Sequence, residues 1–141
     1  MRTDPVIIDT GPLVAYIDRS QAHHTWVKSL DVANAAPWLT CEVVIAEAWF
    51  LLRRTPWMQD VLVAMIARQA VAIPYALAED IEAIMWLRRK YRDVPMSLAD
   101  ACLVRMAEAF DRAVVLTFDS DFAVYRASTG QAIDVLRPPG P

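Results

Sequence analysis

Two short apolar runs, Val6-Ile7-Ile8 and Val114-Val115-Leu116, constrain this chain most, because each is followed within three residues by an aspartate. Such runs are too brief for a buried helix. Rich in β-branched residues and bounded by turn signals, they read as strands covered on both faces, the environment of a parallel sheet. Amphipathic stretches of helical length lie between and around them, so strand and helix alternate. The expectation is an α/β fold with a parallel sheet of about four to five strands flanked by helices. At 141 residues, with 56% hydrophobic and 22% charged side chains, residues 1–141 are expected to form a single domain with a real core.

Thr10-Gly11-Pro12 breaks the first run, and a helix is expected to open near Pro12. Further helices are predicted over 23–32, 41–54, 58–69, 79–92, 98–110 and 122–126, the second of these capped by Thr40. Val71-Ala72-Ile73 and Ile133-Asp134-Val135 are the remaining strand candidates, and Pro138, Pro139 and Pro141 predict a frayed tail. Trp49 and Trp86 are expected in the core, whereas Trp38 and Trp57 flank loops.

A formal charge of −3 sets this chain apart from strongly basic nucleic-acid binders, so contact with a polyanion requires a local patch or a cation. Cys41 and Cys102 are far apart and show no C-x-x-C spacing, which predicts reduced thiols rather than a disulfide framework or zinc ribbon. There is no basic leader followed by an apolar stretch, and charge interrupts every apolar run before membrane-spanning length. A soluble, cytoplasmic protein is expected.

Asp9 and Asp119 stand just after strands, and ligands of open parallel sheets bind outside the carboxyl ends of the strands. Glu47 sits in an otherwise apolar helical stretch, where burial rather than a solvent-facing charge is expected, with no lysine or arginine within four residues, and Asp100 lies near a helix start. If the four carboxylates met in one cleft, each pair at ~6 Å would repel by roughly 3 kcal/mol at an effective dielectric of 20. The sum is on the order of a domain's whole stability. Protons or a divalent cation must then neutralise the cluster, and all-oxygen ligands favour Mg²⁺ or Mn²⁺. Taken singly, Asp9 also suits a turn, Asp100 a helix start, and Asp119 and Asp121 a cap.

The stretches Val6-Ile7-Ile8-Asp9-Thr10-Gly11-Pro12-Leu13-Val14-Ala15-Tyr16, Ile45-Ala46-Glu47, Ser97-Leu98-Ala99-Asp100-Ala101 and Leu116-Thr117-Phe118-Asp119-Ser120-Asp121-Phe122 resemble the motifs of PIN domains. In particular they resemble the VapC toxins of prokaryotic toxin–antitoxin pairs, in order and over essentially the whole chain. The resemblance implies a Mg²⁺- or Mn²⁺-dependent endoribonuclease, a homodimer, and a small antitoxin partner. It carries the catalytic and metal-binding roles to Asp9, Glu47, Asp100 and Asp119, with Asp121, Thr117 and Ser97 as orienting residues.

Arg53, Arg54, Arg88, Arg89, Lys90 and Arg92 form the contiguous basic runs and are the candidate RNA contacts; a solvated helix end is the alternative. Two other functions compete. A haloacid-dehalogenase-like phosphatase also starts with a strand ending in Asp, but needs a second acid where Gly11 stands. A non-catalytic PIN-like interaction module is the rival that is not an enzyme.

Overall fold

The computed structural model describes residues 4–33 and 36–140; Pro141 and the first three residues lie outside them. Five parallel strands form one sheet in the order β3-β2-β1-β4-β5. They are β1 (Val6–Ile8), β2 (Trp38–Leu39), β3 (Val71–Ala72), β4 (Val114–Leu116) and β5 (Val135–Leu136). The helices are α1 (Thr10–Ile17), α2 (His24–Ala33), α3 (Glu42–Leu51), α4 (Pro56–Ala67), α5 (Ile81–Lys90) and α6 (Leu98–Ala109). Single 3₁₀ turns at Leu77–Asp80 and Ser120–Ala123 complete the order. The alternation expected from the sequence is therefore the observed architecture.

Strand order reverses between β1 and β4, whose register pairs Ile8 with Leu116. Such a reversal opens a crevice at the carboxyl ends of the two central strands, because the connections leave in opposite directions. Ile7, Ile8, Val115 and Leu116 are wholly buried, consistent with strands covered on both faces. Helix α1 packs on α2, α3 and α4, while α6 packs on α5 and α3 and reaches β1 and β4. Among the described residues, no helix is long and apolar enough to cross a membrane.

Local details depart from the sequence reading. Gly11 and Pro12 do not form a turn; they lie in the first turn of α1, where proline's missing N–H is not needed. A Cβ on Gly11 would stand 3.0 Å from the Phe118 ring, so this position allows α1 to lie against the segment after β4. Trp38 flanks a loop as expected, yet it opens β2 and is 3% exposed, in a strand too short to show alternation. The last strand is Val135–Leu136, because pairing with Val115 and Leu116 fixes its register two residues beyond Ile133. Cys41 and Cys102 are free and buried.

Thr40 is not the cap of α3, since Cys41 holds that position without a side-chain bond. The Thr40 hydroxyl instead donates to the Ile8 carbonyl at 2.8 Å, tying the end of β2 to the end of β1 where Asp9 begins. Thr40→Val keeps the shape and removes a bond to a buried carbonyl. We expect a loss of about 1–2 kcal/mol, or roughly 3–6 °C in Tm. An unchanged melting curve would show that the hydroxyl does not hold the two strand ends together.

Candidate active site

Asp9 follows β1 directly, and its N–H donates to the Leu116 carbonyl at 2.9 Å, which locks it against the end of β4. It is buried and serves as N-cap of α1, with Oδ1 accepting from the Thr10 N–H at 2.8 Å. Oδ2 accepts from the Thr117 hydroxyl at 2.7 Å. Thr117, fully buried, in turn accepts from the Asp119 N–H at 3.0 Å, so one hydroxyl links the first acid to the backbone of the last.

Asp100 is buried at the third position of α6 in a reciprocal capping box: its N–H donates to Ser97 Oγ at 3.0 Å, and its Oδ2 accepts from the Ser97 N–H at 3.3 Å. Oδ2 also accepts from the Tyr125 hydroxyl at 2.8 Å. Asp119 caps the 3₁₀ turn, with Oδ1 accepting from the Asp121 N–H at 2.9 Å. The sequence suggested a cap at Asp119 or Asp121; the structure gives that role to Asp119.

Electrostatics shows which acids meet. Burial pushes the Asp9 carboxyl up to about 6, with the charges of Asp100 and Asp119 adding in the same direction. Burial also raises Asp100, again with Asp119 contributing, although hydrogen bonds from Tyr125 and Ser97 oppose it. The donors that hold these carboxylates are all neutral: two amides, a threonine and a tyrosine.

Glu47 differs. It is exposed, and among the described residues its one hydrogen bond to the group comes from α1, the Thr10 hydroxyl donating to Oε2 at 2.8 Å. The expectation that an apolar helix buries this carboxylate is overturned. Helix α3 buries Val44 and Ala48 and turns Trp49, Phe50 and Leu51 outward, at 48%, 57% and 55% exposure. Glu47 stands on that outer side, beside Val43, Ala46, Phe50 and Leu51 in an open depression of about 410 Å³.

Among the described residues, no group of three or more His, Cys, Asp or Glu side chains is arranged to hold a metal ion as it stands. Chemistry and charge nevertheless suit a hard divalent cation. Asp9, Asp100 and Asp119 offer only oxygen, they repel one another, and among the described residues no cationic side chain bonds them. Asp119 and Glu47 each use one carboxylate oxygen in a hydrogen bond, Oδ1 and Oε2, and keep the other for a ligand role.

The basic runs stand at the exposed ends of α3 and α5. Arg53 stacks over Phe50, Arg89 bonds the Met85 carbonyl, and Lys90 lies over Trp86 and Tyr91. A second basic cluster escaped the sequence reading because its members are single residues in separate segments. Arg19, Lys28 and Arg68 wall a cleft of about 440 Å³ together with Tyr16, His24 and Trp57. Tyr16 is on α1, about 9 Å along the axis from Thr10. Tyr125 was also missed; its only sequence signal is its position four residues after Asp121.

The PIN domain family model matches residues 6–127, and the chain belongs to that family. Two relatives carry the resemblance further. The chain is 28% identical to Ribonuclease VapC26 of Mycobacterium tuberculosis over 134 residues, covering 93% of this chain and 99% of the relative. The crystal structure of Mycobacterium tuberculosis VapC20, described as a sarcin-ricin loop cleaving toxin, superposes with a TM-score of 0.69 at 22% identity. That match covers 84% of this chain and 93% of the other. The fold is thus the PIN fold, and the resemblance to VapC proteins holds over nearly the full length.

Proposed function

We propose that this chain is a Mg²⁺- or Mn²⁺-dependent endoribonuclease, acting as one domain in the cytoplasm as the toxin of a toxin–antitoxin pair. The observation that carries this reading is the convergence of Asp9 and Asp119, which follow the adjacent strands β1 and β4, with Asp100 at the start of α6, and among the described residues no cationic side chain is hydrogen-bonded to them. Its kinship with a ribonuclease of similar length supports it.

Asp9, Asp100 and Asp119 would hold the ion, with Glu47 at the rim. A bound divalent cation supplies Lewis acidity toward the scissile phosphate and eases loss of a proton from water. Thr117 fixes the orientation of Asp9 and the backbone of Asp119 together, and Ser97 anchors the helix end that presents Asp100. Glu47, open to solvent, would accept a proton from the attacking water. Asp121 shapes the turn through its backbone.

Attack by water on the phosphorus, with the P–O3′ bond breaking and the 3′ oxygen leaving, gives a 5′-phosphate and a 3′-hydroxyl. Mapping the ends produced from a synthetic RNA tests this; a 2′,3′-cyclic phosphate product would overturn it. For the RNA path, Arg19, Lys28 and Arg68 join Arg53, Arg54, Arg88, Arg89, Lys90 and Arg92 as candidates. Lys28→Ala with Arg68→Ala is expected to reduce the salt dependence of RNA binding by about 1.4 in the log–log slope, the effect of losing two phosphate contacts on a single strand. An unchanged slope would remove this cleft from the path.

The outward apolar side chains of α3, and Ile81, Met85 and Trp86 on α5, suit protein partners. We assign them to a second copy of the chain and to an antitoxin.

A further inference from the structure

The two oxygens of Asp100 have unequal surroundings. Oδ2 is held by the Tyr125 hydroxyl and the Ser97 N–H, whereas Oδ1 takes no hydrogen bond among the described residues. No fully buried side-chain oxygen or nitrogen among those residues lacks a partner, so Oδ1 reaches the solvent of the crevice. Tyr125 is 0% exposed, set edge-on against Tyr91 at 5.2 Å and Phe122 at 5.1 Å. Its own N–H bonds the Asp121 carbonyl at 3.3 Å, which joins the ring to the turn that carries Asp119.

A buried phenol without an acceptor is unfavourable, and Asp100 is the acceptor here. The phenol is also a neutral donor. It orients a carboxylate without cancelling its charge, as a lysine or arginine would. Donors of this kind, one bond removed from the ligating atom, tune metal ligands.

We propose that Tyr125 is a positioning residue of the site: it holds Oδ2 of Asp100 so that Oδ1 faces a divalent cation, and it couples the acid of α6 to the acid after β4. This rests on the reading of the acids as a cation-dependent site. Tyr125 touches neither RNA nor the ion; it acts through Asp100.

The test is calorimetric titration of Mn²⁺ into the metal-free full chain, comparing wild type, Tyr125→Phe and Tyr91→Phe. Tyr91 is the control, a buried phenol in the same aromatic cluster whose hydroxyl accepts from the Arg126 N–H at 2.7 Å. Tyr125→Phe is expected to weaken Mn²⁺ binding by about tenfold and to lower kcat without changing KM for RNA. Tyr91→Phe is expected to lose comparable thermal stability yet bind Mn²⁺ as wild type does. Should the phenylalanine variant not fold, Tyr125→His at pH 8 offers a neutral N–H donor and is expected to bind Mn²⁺ more tightly than Tyr125→Leu. Wild-type Mn²⁺ affinity in Tyr125→Phe, or equal weakening in Tyr91→Phe, would overturn the role of Tyr125 alone. A wild-type protein that binds no Mn²⁺ would overturn the metal site itself, and this role with it.

Discussion

Asp9→Asn and Asp100→Asn are each expected to reduce RNA cleavage by at least about a thousandfold while the fold survives. A thousandfold corresponds to about 4 kcal/mol of transition-state stabilisation, within what a charged ligand to a catalytic ion supplies. Asparagine fills the same volume. Its carbonyl can accept from the Thr10 N–H and its amide can donate to the Thr117 hydroxyl oxygen, at the cost of the bond which that hydroxyl now donates to Asp9. What is lost is the charge. Cleavage assays on purified variants, alongside melting curves, check this; full activity of either variant with metal present would sink the assignment.

The same charge makes stability depend on pH in an unusual direction. Folded Asp9 keeps its proton up to about pH 6, while the unfolded group releases it near 3.8. Between those values the folded state binds more protons, so stability falls as pH rises through this window. Roughly two pH units correspond to about 3 kcal/mol, or on the order of 10 °C in Tm. Asp100 shifts in the same direction.

In the absence of metal, Asp9→Asn should therefore match wild type near pH 4 and exceed it at pH 7.5. Millimolar Mn²⁺ should stabilise wild type much more at pH 7.5 than at pH 4.5, because ionised carboxylates bind it. Thermal melts of both proteins across pH 4–8 provide the measurement. A constant offset between the two curves would contradict the burial of an ionised Asp9.

The features legible in the sequence were those set by short-range pattern. Val6–Ile8 and Val114–Leu116 announced themselves as buried strands, and the acids that follow them meet because those strands are neighbours. Strand β2 was not legible, because two residues carry no periodicity and its place comes from pairing with β1 and β3. Burial was the weakest inference. Trp49 and Trp86 were expected in the core but are 48% and 46% exposed, since apolar composition does not distinguish a core face from a partner face. Glu47 was singled out for being buried in an apolar helix; it is exposed, and its link to the site is a hydrogen bond from Thr10. Tyr125 and the cluster of Arg19, Lys28 and Arg68 depend on contacts between distant segments, which leave no local mark.

Incubation of the purified chain with RNA in Mg²⁺ or Mn²⁺, with a parallel reaction in EDTA, tests the central claim most directly. The account predicts endonucleolytic cleavage that EDTA abolishes and that returns when excess divalent cation is added. Cleavage that persists in EDTA, or none by wild type in either metal on total cellular RNA, would contradict it.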